Sequence, residues 1–493
     1  MLAITISETI EVDRSGCAQC RQKISYTNTS KTPYAFPGIS ATFFHKDCDD
    51  FVFTDSTGEI HVDLIDVQDE PYQKRLIYSL SGTLSPKNTA TYILKYTWTN
   101  FRDDAGLKKI ATKFDFLTTY NLTIIVNDDT FTDRLICDHL LSMGIEKNDL
   151  FIVGIPYSSK IEVVEHLRDD GFCVRHLDRA KYTDEFPSVI KKTLLEACQL
   201  CVSKNKSLLI IEDGGYVVPL LHEDDDFTKY KDICVGAVEQ TANGIWADQL
   251  IAESNGLLFP VMNVAESRIK RERESPLVGT AIIQNINRLL EGYGIDIRNQ
   301  KVGQLGYGAI GRPLALEMQS NGIDVTIYDL EEKINEDARK NDLEVAQSLE
   351  ELLPGKTLII GCTGKEVVGL SELRKVDRNM YFVNATSKLR ELKYSEFLDI
   401  AEELKIKVGI GTEYKLKGGR EIIIRLLADG FPVNFFESSE SIPDQKIQFI
   451  PALLLGAAGH LVSTGIYEPL IHEISSALED RIESLMALYD KTI

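Results

Sequence analysis

The stretch KVGQLGYGAIGRPLALEMQSNGIDVTIYD, residues 301–329, combines three glycines and an acid at a spacing that could hold a phosphate-bearing cofactor. Gly306 permits a tight turn, and Gly308 lets the backbone approach a pyrophosphate. Gly311 allows a helix to pack closely on the preceding strand. The first turn of that helix would offer backbone N–H groups and a positive dipole end to the phosphates. The pattern therefore predicts a dinucleotide-binding turn that includes Ala309 and Ile310.

Asp329 closes the next predicted strand, 23 residues after Gly306. A carboxylate there can accept hydrogen bonds from a ribose diol, whereas it would repel a 2′-phosphate. The predicted cofactor is NAD rather than NADP. A glycine-rich turn without a ligand is the alternative, and the strand before it, the helix after it and the acid count against it.

A second set of residues could face a substrate. Asp213 follows the apolar run SLLIIE and precedes Gly214 and Gly215, at the edge where open α/β sheets bind ligands. Lys270 lies in SRIKRERES, a mixed-charge run that by composition is typical of a solvated helix face. Its position between a strand and the cofactor segment makes it a candidate for a cleft residue.

The surrounding pattern predicts an α/β fold of two doubly wound Rossmann-like domains with an N-terminal all-β, sandwich-like domain. Short alternating segments without helical period fill residues 1–118. Strands then alternate with helices in a Rossmann-like substrate domain, 119–262, and an NAD-binding Rossmann domain, 263–432, which continues through TLIIGCTG, MYFVNATS and KVGIG. Residues 433–493 look helical and are expected to pack back on the α/β domains.

Charge excludes some partners. The chain of 493 residues has 54 basic and 75 acidic residues, a formal net charge of -21, which would repel nucleic acid and anionic membranes. Nine cysteines at scattered positions fit reduced thiols, and with no signal-peptide or membrane-span pattern we expect a cytoplasmic protein.

Metal binding is not expected, although one cysteine–histidine set is compatible with a zinc knuckle. CAQC and HKDC supply Cys17, Cys20, His45 and Cys48 at the required spacings. Buried thiols in a β module are the preferred interpretation, because the second pair lacks the usual turn glycine.

Several stretches together resemble the S-adenosylhomocysteine hydrolase family, over about residues 120–440 and not over the β module. They are LLIIEDGGYVVPLLH, VGAVEQTANG, LLFPVMNVAESRIKRERES and GREIIIRLLADGFPVNFF. The family oxidises a ribose 3′-hydroxyl with tightly held NAD, eliminates a thiol, adds water and reduces the ketone again. The resemblance places Asp213 at a substrate-binding aspartate and Lys270 at the catalytic lysine. It implies an NAD site that also includes Thr241, Asn243, Thr363, Asn384 and Asn434.

The family's proton-transfer positions are mostly changed. Its catalytic glutamate falls on Gln240, which cannot act as a base, and its Asp-Asn pair after the lysine falls on Glu274 and Ser275. Ser387 and Asp128 stand where histidines are expected. Losing one proton-transfer group typically costs about 10²- to 10⁴-fold in rate, so efficient hydrolysis of S-adenosylhomocysteine is not expected.

Three functions remain open. The first is NAD-dependent redox chemistry on a hydroxyl of a nucleoside-like or other small polar ligand, with Asp213, Gln240, Lys270 and Glu274 facing it. The second is a non-catalytic sensor of NAD or ligand that signals through the β domain, which would then bind a protein partner. The third is a 2-hydroxyacid dehydrogenase, which Arg390 fits poorly because it lies six residues beyond Asn384. In each case we expect a homo-oligomer.

Overall fold

The computed structural model covers the chain in separate ranges. The backbone is described for residues 2–12, 18–28, 34–35, 38–45, 48–57, 60–69, 73–84, 89–98, 122–127, 136–141, 144–386, 391–407, 409–417, 421–436, 442, 444–464 and 468–489. Side chains are described only from residue 136 onward. Two compact units are distinguished, Met1–Lys109 with Ser438–Gln448, and Ile110–Glu437 with Phe449–Ile493.

The first unit contains antiparallel strands. They are β1 (Leu2–Val12), β2 (Ala18–Asn28), β3 (Tyr34–Ala35), β4 (Gly38–His45), β5 (Cys48–Thr57), β6 (Ile60–Asp69), β7 (Gln73–Leu84) and β8 (Thr89–Trp98). One sheet has the order β1-β2-β8-β5; in the other, β3, β4 and β6 all pair with β7. The stacking of these sheets as a sandwich stays a prediction.

The second unit begins with a parallel sheet in the order β11-β10-β9-β12-β13-β14-β23. Its strands are β9 (Leu122–Asn127), β10 (Leu150–Val153), β11 (Cys173–Arg175), β12 (Ser207–Glu212), β13 (Cys234–Glu239), β14 (Val261–Asn263) and β23 (Ile471–Glu473). The helices are α1 (Ile161–Asp169), α2 (Phe186–Lys204), α3 (Val217–Glu223) and α4 (Ala242–Ser254). Leu208 and Ile210 of β12 pack in one core, while Leu209 and Ile211 are buried on the other face. Because both faces are covered, the strands are almost wholly apolar.

A second sheet follows in the order β17-β16-β15-β18-β19-β22-β21-β20. Its strands are β15 (Val302–Leu305), β16 (Val325–Tyr328), β17 (Glu344–Val345), β18 (Leu358–Gly361), β19 (Met380–Asn384), β20 (Ala401–Lys407), β21 (Gly411–Leu416) and β22 (Ile423–Leu427). The helices are α5 (Ser275–Glu291), α6 (Gly311–Ser320), α7 (Glu332–Lys340), α8 (Leu349–Leu352), α9 (Leu370–Leu373) and α10 (Tyr394–Ile400). Leu358 and Ile360 pack in one core and Ile359 in another, so this sheet also has helices on both faces. The predicted α/β fold with two Rossmann-like sheets is confirmed.

The C-terminal segment is only partly helical. It contains α11 (Asp444–Ile447), α12 (Phe449–Thr464) and α13 (Ser476–Tyr489), but β23 between the last two helices pairs in parallel with β14. Helix α12 packs on the substrate sheet, where a Cβ at Gly236 would lie 2.5 Å from the Leu461 side chain. The last residues therefore complete the first sheet as well as covering it.

The prediction that KVGIG continues the strand–helix alternation is wrong. Strand β20 ends at Lys407 and strand β21 begins at Gly411, and the two strands are antiparallel. Gly409 has a φ of +73°, a left-handed conformation that favours glycine and closes the hairpin.

No helix in the described ranges is both long and apolar enough to cross a bilayer.

Candidate functional site

The glycine turn between β15 and α6 has the geometry of a phosphate cradle. Gly306 has a φ of +90°, which favours glycine. A Cβ at Gly311 would lie 2.3 Å from the carbonyl oxygen of Gly306, so only glycine lets the helix approach the strand this closely. A Cβ at Gly308 would meet no atom within 4 Å. The space beside Gly308 is thus open to a ligand, and the residues present fit a dinucleotide.

Asp329 stands beside this turn at the end of β16. One carboxylate oxygen accepts the N–H of Tyr307 at 2.8 Å, and the other accepts the N–H of Glu331 at 3.0 Å. The Asn335 side chain donates to the Asp329 carbonyl at 3.0 Å. These bonds hold the carboxylate next to the predicted pyrophosphate site, where it can receive the ribose hydroxyls of NAD.

Gln304 fixes the turn from within the core, and the sequence analysis missed it. Its fully buried side-chain amide donates to the carbonyls of both Gly306 and Gly311 at 2.8 Å. A single side chain thereby ties the end of β15 to the start of α6. A glutamine in an otherwise apolar strand, just before the first glycine, was the available signal.

The carboxyl ends of β18 and β19 carry the next predicted cofactor residues. Thr363 donates its backbone N–H to Glu391 at 2.7 Å, and Gly364 does the same at 2.8 Å. The Asn384 amide donates to the Gly430 carbonyl at 3.1 Å, and its oxygen accepts the Thr386 hydroxyl at 3.0 Å.

Glu391 organises this edge, although no sequence pattern selects it. It is completely buried, and a Cβ at Gly361 would lie 2.3 Å from its side chain. Burial raises the pKa of its carboxyl, while the N–H donors of Thr363 and Gly364 oppose that shift. Glu391 thus sets the conformation of the loop that follows β18.

On the substrate side, Asp213 and Gln240 follow the neighbouring strands β12 and β13. The Gln240 amide donates to an Asp213 carboxylate oxygen at 2.8 Å. This bond orients the Asp213 carboxylate, whose oxygens can also accept hydrogen bonds from ligand hydroxyls. The structure therefore brings together two of the predicted catalytic residues.

The loop around Asp213 is shaped by two buried glutamates. Glu239 accepts the N–H groups of Gly214 and Gly215 at 3.1 and 3.0 Å, and the hydroxyl of Thr241 at 2.6 Å. Glu212 accepts three N–H groups from the first turn of α3. Thr241 is the N-cap of α4, and its oxygen accepts the Gly244 N–H. In this structure Thr241 supports the loop.

Lys270 and Glu274 begin and end one turn of π-helix, Lys270–Glu274. The Lys270 ammonium lies 2.7 Å from the Glu274 carboxylate, with side-chain exposures of 13% and 18%. Such π turns often mark functional sites, since they redirect side chains within a helix. The two predicted residues thus form an ion pair within this turn.

Helix α13 supports this π turn. The nearly buried Glu479 accepts the Ile269 N–H at 3.0 Å. Arg268 pairs with Asp480 at 2.9 Å and with Glu483 at 3.0 Å. The backbone just before Lys270 is consequently anchored by a helix far along the chain.

The two α/β domains touch beside Asn243 and Gly364, next to the predicted cofactor residue Thr363. A Cβ at Gly364 would lie 3.3 Å from the Trp246 ring and 3.4 Å from the Asn243 amide. The Lys365 ammonium lies 5.0 Å from the centre of the Trp246 ring. The loop after β18 therefore meets the first turns of α4, a few residues beyond Gln240. Asn434 is part of the chain that returns between the domains, and its carbonyl accepts the Asn285 amide at 3.3 Å.

Some predicted positions lie outside the described residues. Asp128, Ser387 and Arg390 are among them, and so is Cys17. Cys20, His45 and Cys48 belong to strands whose side chains are not described, so the zinc alternative stays a hypothesis. Across the side chains described from residue 136 onward, no group of three His, Cys, Asp or Glu residues could hold a metal ion.

The chain is similar to known NAD-dependent proteins. Residues 283–387 match the NAD-binding domain of D-isomer-specific 2-hydroxyacid dehydrogenases. An adenosylhomocysteinase from Thermoplasma acidophilum is 23% identical over 57% of this chain and 64% of its own length. An S-inosyl-L-homocysteine hydrolase from Methanocaldococcus jannaschii is 26% identical over 47% of this chain and 54% of its own. The chain thus matches less than two thirds of the length of either relative.

A solved structure of a dipicolinate synthase chain from Bacillus halodurans is 12% identical over 57% of this chain and 88% of its own, with a TM-score of 0.36. That likeness is too low to bear on function. The family match and the hydrolase relatives together show that this protein has an NAD-binding domain.

Proposed function

We propose that this protein uses NAD to oxidise or reduce a hydroxyl-bearing carbon of a nucleoside-like or other small polar ligand. Efficient hydrolysis of S-adenosylhomocysteine is not part of the proposal. The observation that carries it is the Asp213–Gln240 pair, because Gln240 lies just before helix α4, which contacts the Thr363–Lys365 loop of the NAD-binding domain. Ligand-binding and cofactor-binding groups therefore converge on one region.

The side chains divide the work as follows. Asp213, oriented by the Gln240 amide, accepts hydrogen bonds from ligand hydroxyls. Gln240 positions Asp213 but cannot take a proton, because an amide is not a base near neutral pH. Lys270 and Glu274, paired at 2.7 Å, are the groups able to move a proton to or from the reacting hydroxyl.

NAD, held by the glycine turn and Asp329, supplies the hydride acceptor or donor. The chain's own residues then have to orient the ligand and handle one proton. The full hydrolase reaction needs more proton transfers, including those of water addition and thiol elimination. Gln240 stands in place of one of the groups that the resemblance would require, which favours simple redox chemistry.

A non-catalytic sensor is the second candidate. Gln240 favours it, because an amide at this position binds Asp213 but cannot itself take a proton. The Lys270–Glu274 pair counts against it, since a protein that only senses a ligand needs no groups that move a proton.

The test begins with purified full-length protein. Mass spectrometry of the small molecules released on denaturation identifies bound NAD and any ligand that copurifies. Adenosine, inosine and S-adenosylhomocysteine are then added separately while absorbance in the reduced-nicotinamide band is followed. We expect absorbance to rise with at least one nucleoside, without release of homocysteine.

Variants assign the roles. Lys270→Met and Asp213→Asn are expected to slow the absorbance change by about 10²-fold or more while NAD stays bound. Lys301→Met, at an exposed lysine before β15, is the matched control and should react normally. Bound NAD that no nucleoside reduces would favour the sensor, and homocysteine release at enzymatic rates would contradict the proposal.

A further inference from the structure

Strand β20 is an exposed edge of the cofactor-domain sheet. It is last in the strand order and pairs only with β21 among the described strands. An edge strand presents a row of backbone N–H and C=O groups that can pair with another strand. Its side chains from Glu402 to Ile406 are all exposed, including Leu404 at 47% and Ile406 at 58%. Leu398, just before the strand, is exposed as well.

The charges along this strand have an unusual order. In AEELKIK, the acids Glu402 and Glu403 precede Leu404, and the bases Lys405 and Lys407 follow it. Within the described residues, Glu403 and Lys405 make no ion pair. On β21, Glu403 lies opposite Tyr414 and Lys405 lies opposite Glu413, whose carboxylate is paired with Arg425. Glu403 and Lys405 are therefore available to a partner.

We propose that β20 pairs with β20 of a second copy of this chain, antiparallel and around a two-fold axis at Leu404. In that register each Glu403 faces the partner's Lys405, which gives two reciprocal ion pairs. Leu404 faces its own counterpart, with the partner's Ile406 as a diagonal neighbour on the sheet. A parallel arrangement would instead align acid with acid and base with base.

A second copy fits this edge better than an unrelated strand. An isologous contact requires a patch that is complementary to itself, and the acid–apolar–base order of β20 meets that requirement. The pairing would join the cofactor-domain sheets of the two copies into one continuous sheet. It would also cover the exposed side chains of Leu404 and Ile406. Strand β20 also has an irregularity between Glu403 and Lys405, where Leu404 has no partner on β21.

A contact of one short strand predicts weak, reversible association. Sedimentation velocity of the full chain, over about 1 to 200 μM, should show a monomer–dimer equilibrium in this range, corresponding to a Kd on the order of micromolar. Glu403→Lys alone and Lys405→Glu alone each place like charges opposite one another. Each should weaken self-association by roughly tenfold or more, since two cross-strand pairs change sign.

Mixing the two single variants tests the proposed register directly. One copy then presents only bases and the other only acids at the facing positions, so heterodimers should form where neither variant dimerises alone. The double variant, Glu403→Lys with Lys405→Glu, should recover the homodimer. Leu250→Lys, at an exposed leucine of α4, is the matched surface control and should behave as the parent.

Circular dichroism of each variant checks that it is folded before its association is compared. A protein that stays monomeric at every concentration overturns the proposal. So does a dimer that none of the charge reversals weakens, because that dimer would use another surface. Absence of heterodimer in the mixture overturns the proposed register.

Discussion

Asp248 is a carboxylic acid enclosed in the substrate domain. Its side chain is fully buried on α4, and neither oxygen has a hydrogen-bond partner within the described part of the chain. Burial raises its pKa to about 8, and the negative charge of Glu212 adds to the shift. Burial also raises the pKa of the neighbouring Glu239, but Glu239 accepts the N–H groups of Gly214 and Gly215, whereas the Asp248 oxygens receive no such bond from the described residues.

The raised pKa predicts a pH-dependent stability. In the unfolded chain Asp248 titrates near its ordinary value of about 3.9. Below that pH, Asp248 is neutral in both the folded and the unfolded chain and does not reduce the free energy of unfolding. As the pH rises from there toward about 8, the free energy of unfolding decreases. Relative to Asp248→Asn, the parent should lose up to about 1.4 kcal/mol of unfolding free energy per pH unit in that window.

Urea unfolding midpoints of parent and Asp248→Asn, measured from pH 4 to 9, check this prediction. The difference should grow with pH and then level off above about 8. Asp169→Asn, at an exposed aspartate of α1, is the control and should follow the parent throughout. A constant offset between parent and Asp248→Asn would contradict the proposed titration.

At the scale of single residues, sequence patterns found groups with fixed spacing and missed those defined by tertiary contacts. Gly306, Gly311 and Asp329 belong to a local strand–turn–helix pattern, so their roles followed from order alone. Glu391 acts on Thr363 from 28 residues away, through a contact that only the folded sheet creates. No local spacing could have predicted it.

At the scale of elements, the strand–turn–helix unit of β15 and α6 depends on Gln304. Gln304→Leu keeps the volume but leaves the carbonyls of Gly306 and Gly311 without their buried donor. An unsatisfied buried polar group costs about 1–3 kcal/mol. We expect lower thermal stability and NAD binding weakened by roughly tenfold, since the same energy also positions the cradle.

Calorimetric titration with NAD and thermal unfolding measure the two effects. Gln319→Leu is a matched control, because its amide also donates to two carbonyls, those of Asn341 and Asp342, but in exposed positions. Water replaces such bonds, so this variant should bind NAD normally. Equal NAD affinity in the two variants would show that Gln304 does not position the turn.

The sequence predicted strands correctly wherever a continuous run of apolar residues was long enough, as in the buried strands of both sheets. Two elements did not follow the expected order. The KVGIG segment reads as an apolar strand, yet its glycines close an antiparallel hairpin. Strand β23 is three residues long and lies between helices, so it is recognisable as a strand only through its pairing with β14.

At the scale of the whole molecule, the α/β domains must act together if ligand and cofactor sites converge. One described contact places Gly364 and Lys365 of one domain against Trp246 and Asn243 of the other, and a second packs Phe431 against the rings of Tyr157 and Tyr182. The loop that carries Gly364 is the same loop that Glu391 fixes beside the predicted NAD site. We therefore expect NAD binding to stabilise the start of α4 on the other side of this contact.

Hydrogen exchange of the full chain with and without saturating NAD tests this coupling. NAD at 100 times its Kd stabilises the bound form by about 2.7 kcal/mol. In the parent, we expect slower exchange at residues 306–311 and also at residues 241–246, where α4 begins. In Trp246→Ala, protection at 306–311 should remain while protection at 241–246 is lost, because the contact of the Trp246 ring with Gly364 and Lys365 is gone. Leu250→Ala, at an exposed position of the same helix, should behave as the parent. Persistent protection at 241–246 in Trp246→Ala would mean that NAD reaches the substrate domain by a route other than this contact.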